Sequence, residues 1–139
     1  MSYASQADLE RRYGVAQLLQ IADRDDDQAI DAAVVAQALD DADAIVNAYL
    51  AGRYELPLPT TPPLLLALAC DIAFYKLHPG AQPEDVRRRY EDALATLKDL
   101  AAGKAELDLA GGAPAAAPAG EAAFAGPERV FSRASLRGL

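Results

Sequence analysis

A chain of 139 residues with 52% hydrophobic and 24% charged residues is long enough to bury one core and too short for several. Its formal charge of −8 argues against a general nucleic-acid binder, whose affinity comes from clustered Lys and Arg on phosphate. A single cysteine, Cys70, and a single histidine, His78, rule out an internal disulfide and leave zinc and Cys/His nucleophile sites without the ligands they need.

The charge is uneven: residues 1–110 carry a net −9 and residues 111–139 a net +1. From Gly111 to Gly126 the chain is almost entirely Ala, Pro and Gly, a composition that buries little side chain. We therefore expect a helical domain over residues 1–108 and, over 109–139, a linker leading to an extended C-terminal interaction arm. The opening residues lack the basic region and apolar core of a signal peptide. The longest apolar run, Pro62 to Leu77, is broken by Asp71 and Lys76 and is too short to span a bilayer, so no membrane is expected.

In chain order the periodicity is helical almost throughout. Ser5 and Asp8 have the spacing of a capping box, opening a short helix that ends near Gly14. A second short helix, Val15 to Ala22, offers Leu18, Leu19 and Ile21 to a core. The acidic run that follows alternates Asp23, Asp25 and Asp27 like the first ligands of a calcium loop. The pattern then fails, with Gln28 where a Gly is needed and Val34 where a bidentate Glu belongs, so a solvated loop is expected and no metal. Asp31 is placed to cap the next helix, Ala32 to about Ala51, whose apolar stripe includes Val35, Leu39, Ala42, Val46 and Leu50. Asp40, Asp41 and Asp43 are read on its other, polar face.

Gly52 suits a left-handed helix stop, and Pro57 and Pro59 disfavour helix in the residues before them. The loop Arg53-Tyr54-Glu55-Leu56-Pro57-Leu58 reads as an exposed interaction surface, since Arg, Tyr and aliphatic residues are the types enriched in interface cores. Thr61 is expected to cap the following helix, with Pro62 and Pro63 in its first turn. That helix, through Leu77, has hardly any polar face, so it should be central. Asp71 within it needs a partner, and we expect an ion pair with Arg53 or with an Arg of the last helix. His78, at the helix end, is placed to bond the terminal carbonyls. The last helix runs from Glu84 to Ala102 between Pro83 and Gly103, with Val86, Tyr90, Leu94, Leu97 and Leu100 inward. Its Arg87-Arg88-Arg89 triplet is offset by Glu84, Asp85, Glu91 and Asp92. Beyond the spacer, Arg129, Val130, Phe131, Arg133 and Leu136 form a segment able to add as a strand or dock by its apolar residues. The fold class is all-α, a bundle of four to five helices, with no catalytic constellation and no cofactor site.

The ordered set YASQADLERRYG, IDAAVVAQALDDADAIVNAYLAGRYELPLP, PPLLLALACDIAFYKL, VRRRYEDALATLKDLAAGKAEL and RVFSRASL resembles the Mu-like bacteriophage head-tail neck family. The resemblance spans residues 3–108 and the final segment, with the Ala/Pro-rich spacer as a departure. It implies a structural virion protein, not an enzyme: a connector, or adaptor, that docks on the portal, contacts tail-side neck proteins and forms a ring with its own copies. The ring would hold about twelve copies if it follows a twelvefold portal, with every contact head-to-tail. On that reading the protein sits in the neck of the virion and in host cytoplasm during assembly, and Asp40, Asp41 or Asp43 could line a channel through which DNA slides without specific binding. The alternative is a helical protein-binding module of a bacterial regulator, or a transient morphogenesis factor.

Overall fold

In the computed structural model, which describes residues 2–109, the capping box forms at the first helix, α1 (Gln6–Tyr13). The Asp8 backbone N–H donates to the Ser5 hydroxyl and the Ser5 N–H donates to the Asp8 carboxylate at 2.8 Å. Gly14 joins α1 to α2 (Val15–Ala22) at φ 88°, a region that favours glycine. There its N–H closes α1 on the Glu10 carbonyl, and its own carbonyl accepts the Leu18 N–H that opens α2.

The acidic loop ends at Asp31, whose carboxylate accepts the Ala33 N–H and starts α3 (Ala32–Leu50). The helix stops without a left-handed glycine, contrary to the expectation for Gly52. Ala51 stays in the right-handed region, and the chain turns because the Arg53 and Tyr54 N–H groups both reach the Leu50 carbonyl. Nor does Thr61 cap α4 (Pro63–Leu77). Pro63 forces Pro62 into extended backbone at ψ 147°, so Pro62 is the boundary residue and no side chain caps the helix. The last helix, α5 (Glu84–Ala102), follows Pro83 and is ended by Gly103 at φ 79°, while Lys104 and Ala105 fold their N–H groups back onto the Asp99 carbonyl.

Five helices and, among the described residues, no strand make an all-α bundle. Its axis is α4, which buries Leu65, Leu68, Ala69, Cys70, Ile72, Ala73, Phe74 and Leu77 around its circumference. α3 lies along one side of it and α5 along another, and these two also touch. The short pair α1–α2 closes the third side against α3 and α4. Burial of this apolar surface is the dominant stabilising term. No helix among the described residues is long and apolar enough to cross a membrane. The expected arm residues Arg129, Val130, Phe131, Arg133 and Leu136 lie outside the described residues.

Candidate interaction surfaces

The loop after α3 is a clamp more than a surface. Tyr54 and Leu58 keep only 3% and 4% of their area exposed, which corrects their assignment as interaction residues. The physical reason is an orphan donor: the buried Leu107 N–H, beyond the end of α5, donates to the Tyr54 hydroxyl at 3.2 Å. Arg53 folds inward beside it. Its guanidinium lies so close to Gly103 that an added Cβ there would fall 2.6 Å from Nη1, and its only ion pair among the described residues is with Glu106 at 3.4 Å. What stays at the surface of this loop is Glu55 and Pro57, with Leu56 half-buried.

Asp71 does not find an arginine. The Tyr13 hydroxyl donates to its Oδ1 at 2.5 Å, across from α1 to α4, and no ion pair to Arg53 or to α5 forms among the described residues. A neutral donor satisfies the carboxylate without burying a second charge. Burial first, and this carboxylate second, push the Tyr13 phenol well above its ordinary range. The Tyr13 ring stacks on Phe74 with centroids 3.8 Å apart, and Arg89 lies over the same ring at 6.0 Å. Phe74 in turn meets His78 edge-on at 5.0 Å, and His78 Nδ1 bonds the Phe74 carbonyl at 2.8 Å, as expected of a helix-end histidine. Cys70 is sealed in the core, and burial pushes its thiol up to about 11, away from reactive thiolate chemistry.

The three candidate channel acids divide. Asp40 and Asp41 are exposed on α3, Asp41 accepting a bond from Gln37 at 3.0 Å. Asp43 is buried, and its carboxylate accepts the backbone N–H of Tyr3 at 3.0 Å. The Tyr3 hydroxyl also bonds Asn47 Oδ1 at 2.5 Å, so these two α3 residues hold the N-terminal segment down. Asp43 therefore cannot face a channel: it is occupied as an anchor. In the acidic loop, carboxylate oxygens of Asp23, Asp25 and Asp27 come within 4.8 Å of one another. Asp23 is taken up by the N–H groups of Asp27 and Gln28, and Asp27 by that of Ala29, which is the internal bonding of a polar loop. In the arginine triplet, Arg87 pairs with Glu84 at 2.5 Å and Glu91 at 3.7 Å, and Arg88 with Glu84 at 3.7 Å. The triplet is thus largely neutralised by its own helix.

In addition to a concavity of about 390 Å³ lined by Asp8, Arg11, Arg12 and Leu66, the body carries two of note. One, of about 260 Å³, is polar and lies between α2, the end of α4 and the start of α5, with Gln17, His78 and Arg89 in its wall. The other, of about 480 Å³, is a more apolar groove between the first half of α3 and the end of α4, floored by Val34, Ala38 and Leu77 and rimmed by Gln37, Asp41, Arg24 and Lys76.

With this body in view, comparison with known proteins is decisive for ancestry. The profile of the family described as "Bacteriophage Mu, Gp36" matches residues 3–125, which takes in all five helices. The chain belongs to the bacteriophage Mu Gp36 family. A Mu-like prophage FluMu protein gp36 from Haemophilus influenzae is 39% identical over 107 residues, covering 77% of this chain and 76% of that one. Gene product J of Escherichia phage Mu is 34% identical over 122 residues, covering 87% and 86%. The Gp36 match ends at residue 125, ahead of the apolar and arginine segment 129–136. This is a Mu-like phage protein, as its helical segments led us to expect.

Proposed function

We propose that this Gp36-family member is a structural protein of the phage particle, a head-tail connector that docks on the portal and forms a ring for DNA retention and tail attachment. The observation that carries this reading is membership of a Mu phage family by an all-α domain of five helices. The surface chemistry supports it. Asp40 and Asp41 stand exposed on a helix that carries no basic residue, a face that repels DNA phosphate and so suits the wall of a conduit. Neighbouring copies, the portal and tail-side neck proteins are its partners on this reading, and it uses neither cofactor nor catalysis. With Tyr54 and Leu58 withdrawn into the core, the contacts fall to Pro57 and Leu56 on the loop and to the C-terminal segment.

The test is quantitative mass spectrometry of purified particles from the parent phage or induced prophage. About one copy of this chain per portal subunit supports the ring. Absence from finished particles, with the protein present in lysates, overturns it in favour of a transient assembly factor or a regulator's binding module.

A further inference from the structure

The groove between α3 and α4, of about 480 Å³, has an apolar floor of Val34, Ala38 and Leu77 and a rim more basic than the acidic body around it. Arg24 and Lys76 stand there against Asp41 alone, and Gln37 already bonds that carboxylate at 3.0 Å. Arg24 donates to the Leu77 carbonyl at 2.9 Å, and neither it nor Lys76 has an ion pair among the described residues. The site therefore suits an apolar group that brings a carboxylate with it.

The same chain displays such a group at a distance. Glu55, Leu56 and Pro57 form a short knuckle between Tyr54 and Leu58, which are both buried, and Glu55 is exposed without an ion pair among the described residues. Those two anchors fix the knuckle, so little freedom is lost when it is bound. Its own groove is out of reach. The first half of α3 and the last residues of α4 line the groove, which puts it at one end of this antiparallel pair, whereas the knuckle joins the two helices at the other end. From Val34 to Leu50 alone the helix runs about 24 Å at 1.5 Å per residue.

We propose that the α3–α4 groove receives the Glu55–Pro57 knuckle of a second copy of this chain, with Leu56 and Pro57 on the apolar floor and the Glu55 carboxylate between Lys76 and Arg24. Each copy then offers a knuckle at one end and a groove at the other, a head-to-tail contact that closes into a ring where the rotation permits. The proposal rests on the reading that copies adjoin one another in the neck, and it adds which surfaces meet.

Zero-length carbodiimide cross-linking tests it, because this reagent joins a carboxylate to a lysine only where the two touch, and it captures short-lived contacts. An equal mixture of unlabelled and isotope-labelled full chain is treated at high concentration, and linked peptides are identified by mass spectrometry. The chain offers three lysines, Lys76, Lys98 and Lys104. The expected product joins Glu55 of one copy to Lys76 of another, recognised by its mixed labelling. Glu55→Lys or Lys76→Glu alone should weaken self-association several-fold in sedimentation, and the two in one chain should restore most of it. Absence of the Glu55–Lys76 link, a link confined to single chains, Glu55 joined only to Lys98 or Lys104, or a double variant no better than the single ones overturns the contact. Particles with the expected copy number but without this link would remove the contact and leave the connector, whereas linking by a protein absent from particles would remove the connector alone.

Discussion

Tyr13 and Asp71 show how much one hydroxyl can organise. The phenol satisfies a carboxylate carried by the apolar core helix, and its ring is the stacking partner of Phe74, so a single side chain ties α1 to α4. Tyr13→Phe keeps the stack and strands the carboxylate, and should cost about 1–3 kcal/mol in chemical denaturation. Asp71→Asn, which leaves Tyr13 an acceptor, should cost less, and the reverse order would refute this account of the pair. Asp8 supplies a pH dependence. Bonds from the Ser5 hydroxyl and N–H, with a smaller contribution from Arg11, hold its carboxyl below the ordinary value of 3.8. Its folded-state affinity for protons is thus lower than its unfolded one, so its stabilisation is present above about pH 4 and disappears as pH falls through the depressed value. An Asp8→Asn variant should therefore be less stable than the parent at neutral pH, and the gap should close in acid-titrated unfolding curves. These two residues were unequally legible. The Ser5–Asp8 spacing announces itself within four residues, whereas Tyr13 and Asp71 meet only after two helices have been packed, and nothing local in the sequence joins them.

At the level of elements, most helix boundaries followed local rules, while the caps expected of Gly52 and Thr61 and the function of the loop between them did not. Gly14, Asp31, Pro83 and Gly103 act where their backbone preferences or capping oxygens put them, and the ends of α2 and α5 fall as the periodicity implies. The α3–α4 loop misled because Arg, Tyr and Leu are as suited to a buried clamp as to an interface, and composition cannot tell which orphan donor a tyrosine will meet. The clamp itself is testable. Tyr54→Phe removes the acceptor of the Leu107 N–H and should speed exchange of that amide well beyond its neighbours, at a cost of about 1–3 kcal/mol. Gly103→Ala faces both a left-handed backbone angle and the Arg53 guanidinium, and should destabilise by at least about 1 kcal/mol. Arg53→Ala in the same chain should relieve part of that cost; strict additivity in a double-mutant cycle would show that the two groups do not interfere.

For the whole molecule, an acidic body and a mildly basic tail end are features that sequence arithmetic reads directly, while their spatial meaning requires the fold. Of the three α3 acids, only the two that point outward are free to act on a passing polyanion. Neutralising Asp40 and Asp41 together should leave stability nearly unchanged, and on the connector reading it should slow genome ejection in single-particle or dye-release assays. Unaltered ejection kinetics in particles that contain the variant would argue that this face does not meet DNA. Asp43→Asn, by contrast, should act on stability, because that carboxylate anchors Tyr3.

That anchor has a consequence for how the chain is made. Tyr3 is held by Asp43 and Asn47, forty and forty-four residues later. Synthesis releases the segment long before its seat exists, and the exit tunnel delays the seat further. The Tyr3 segment must therefore wait unattached until α3 has emerged and found α4, so that residues made early settle late.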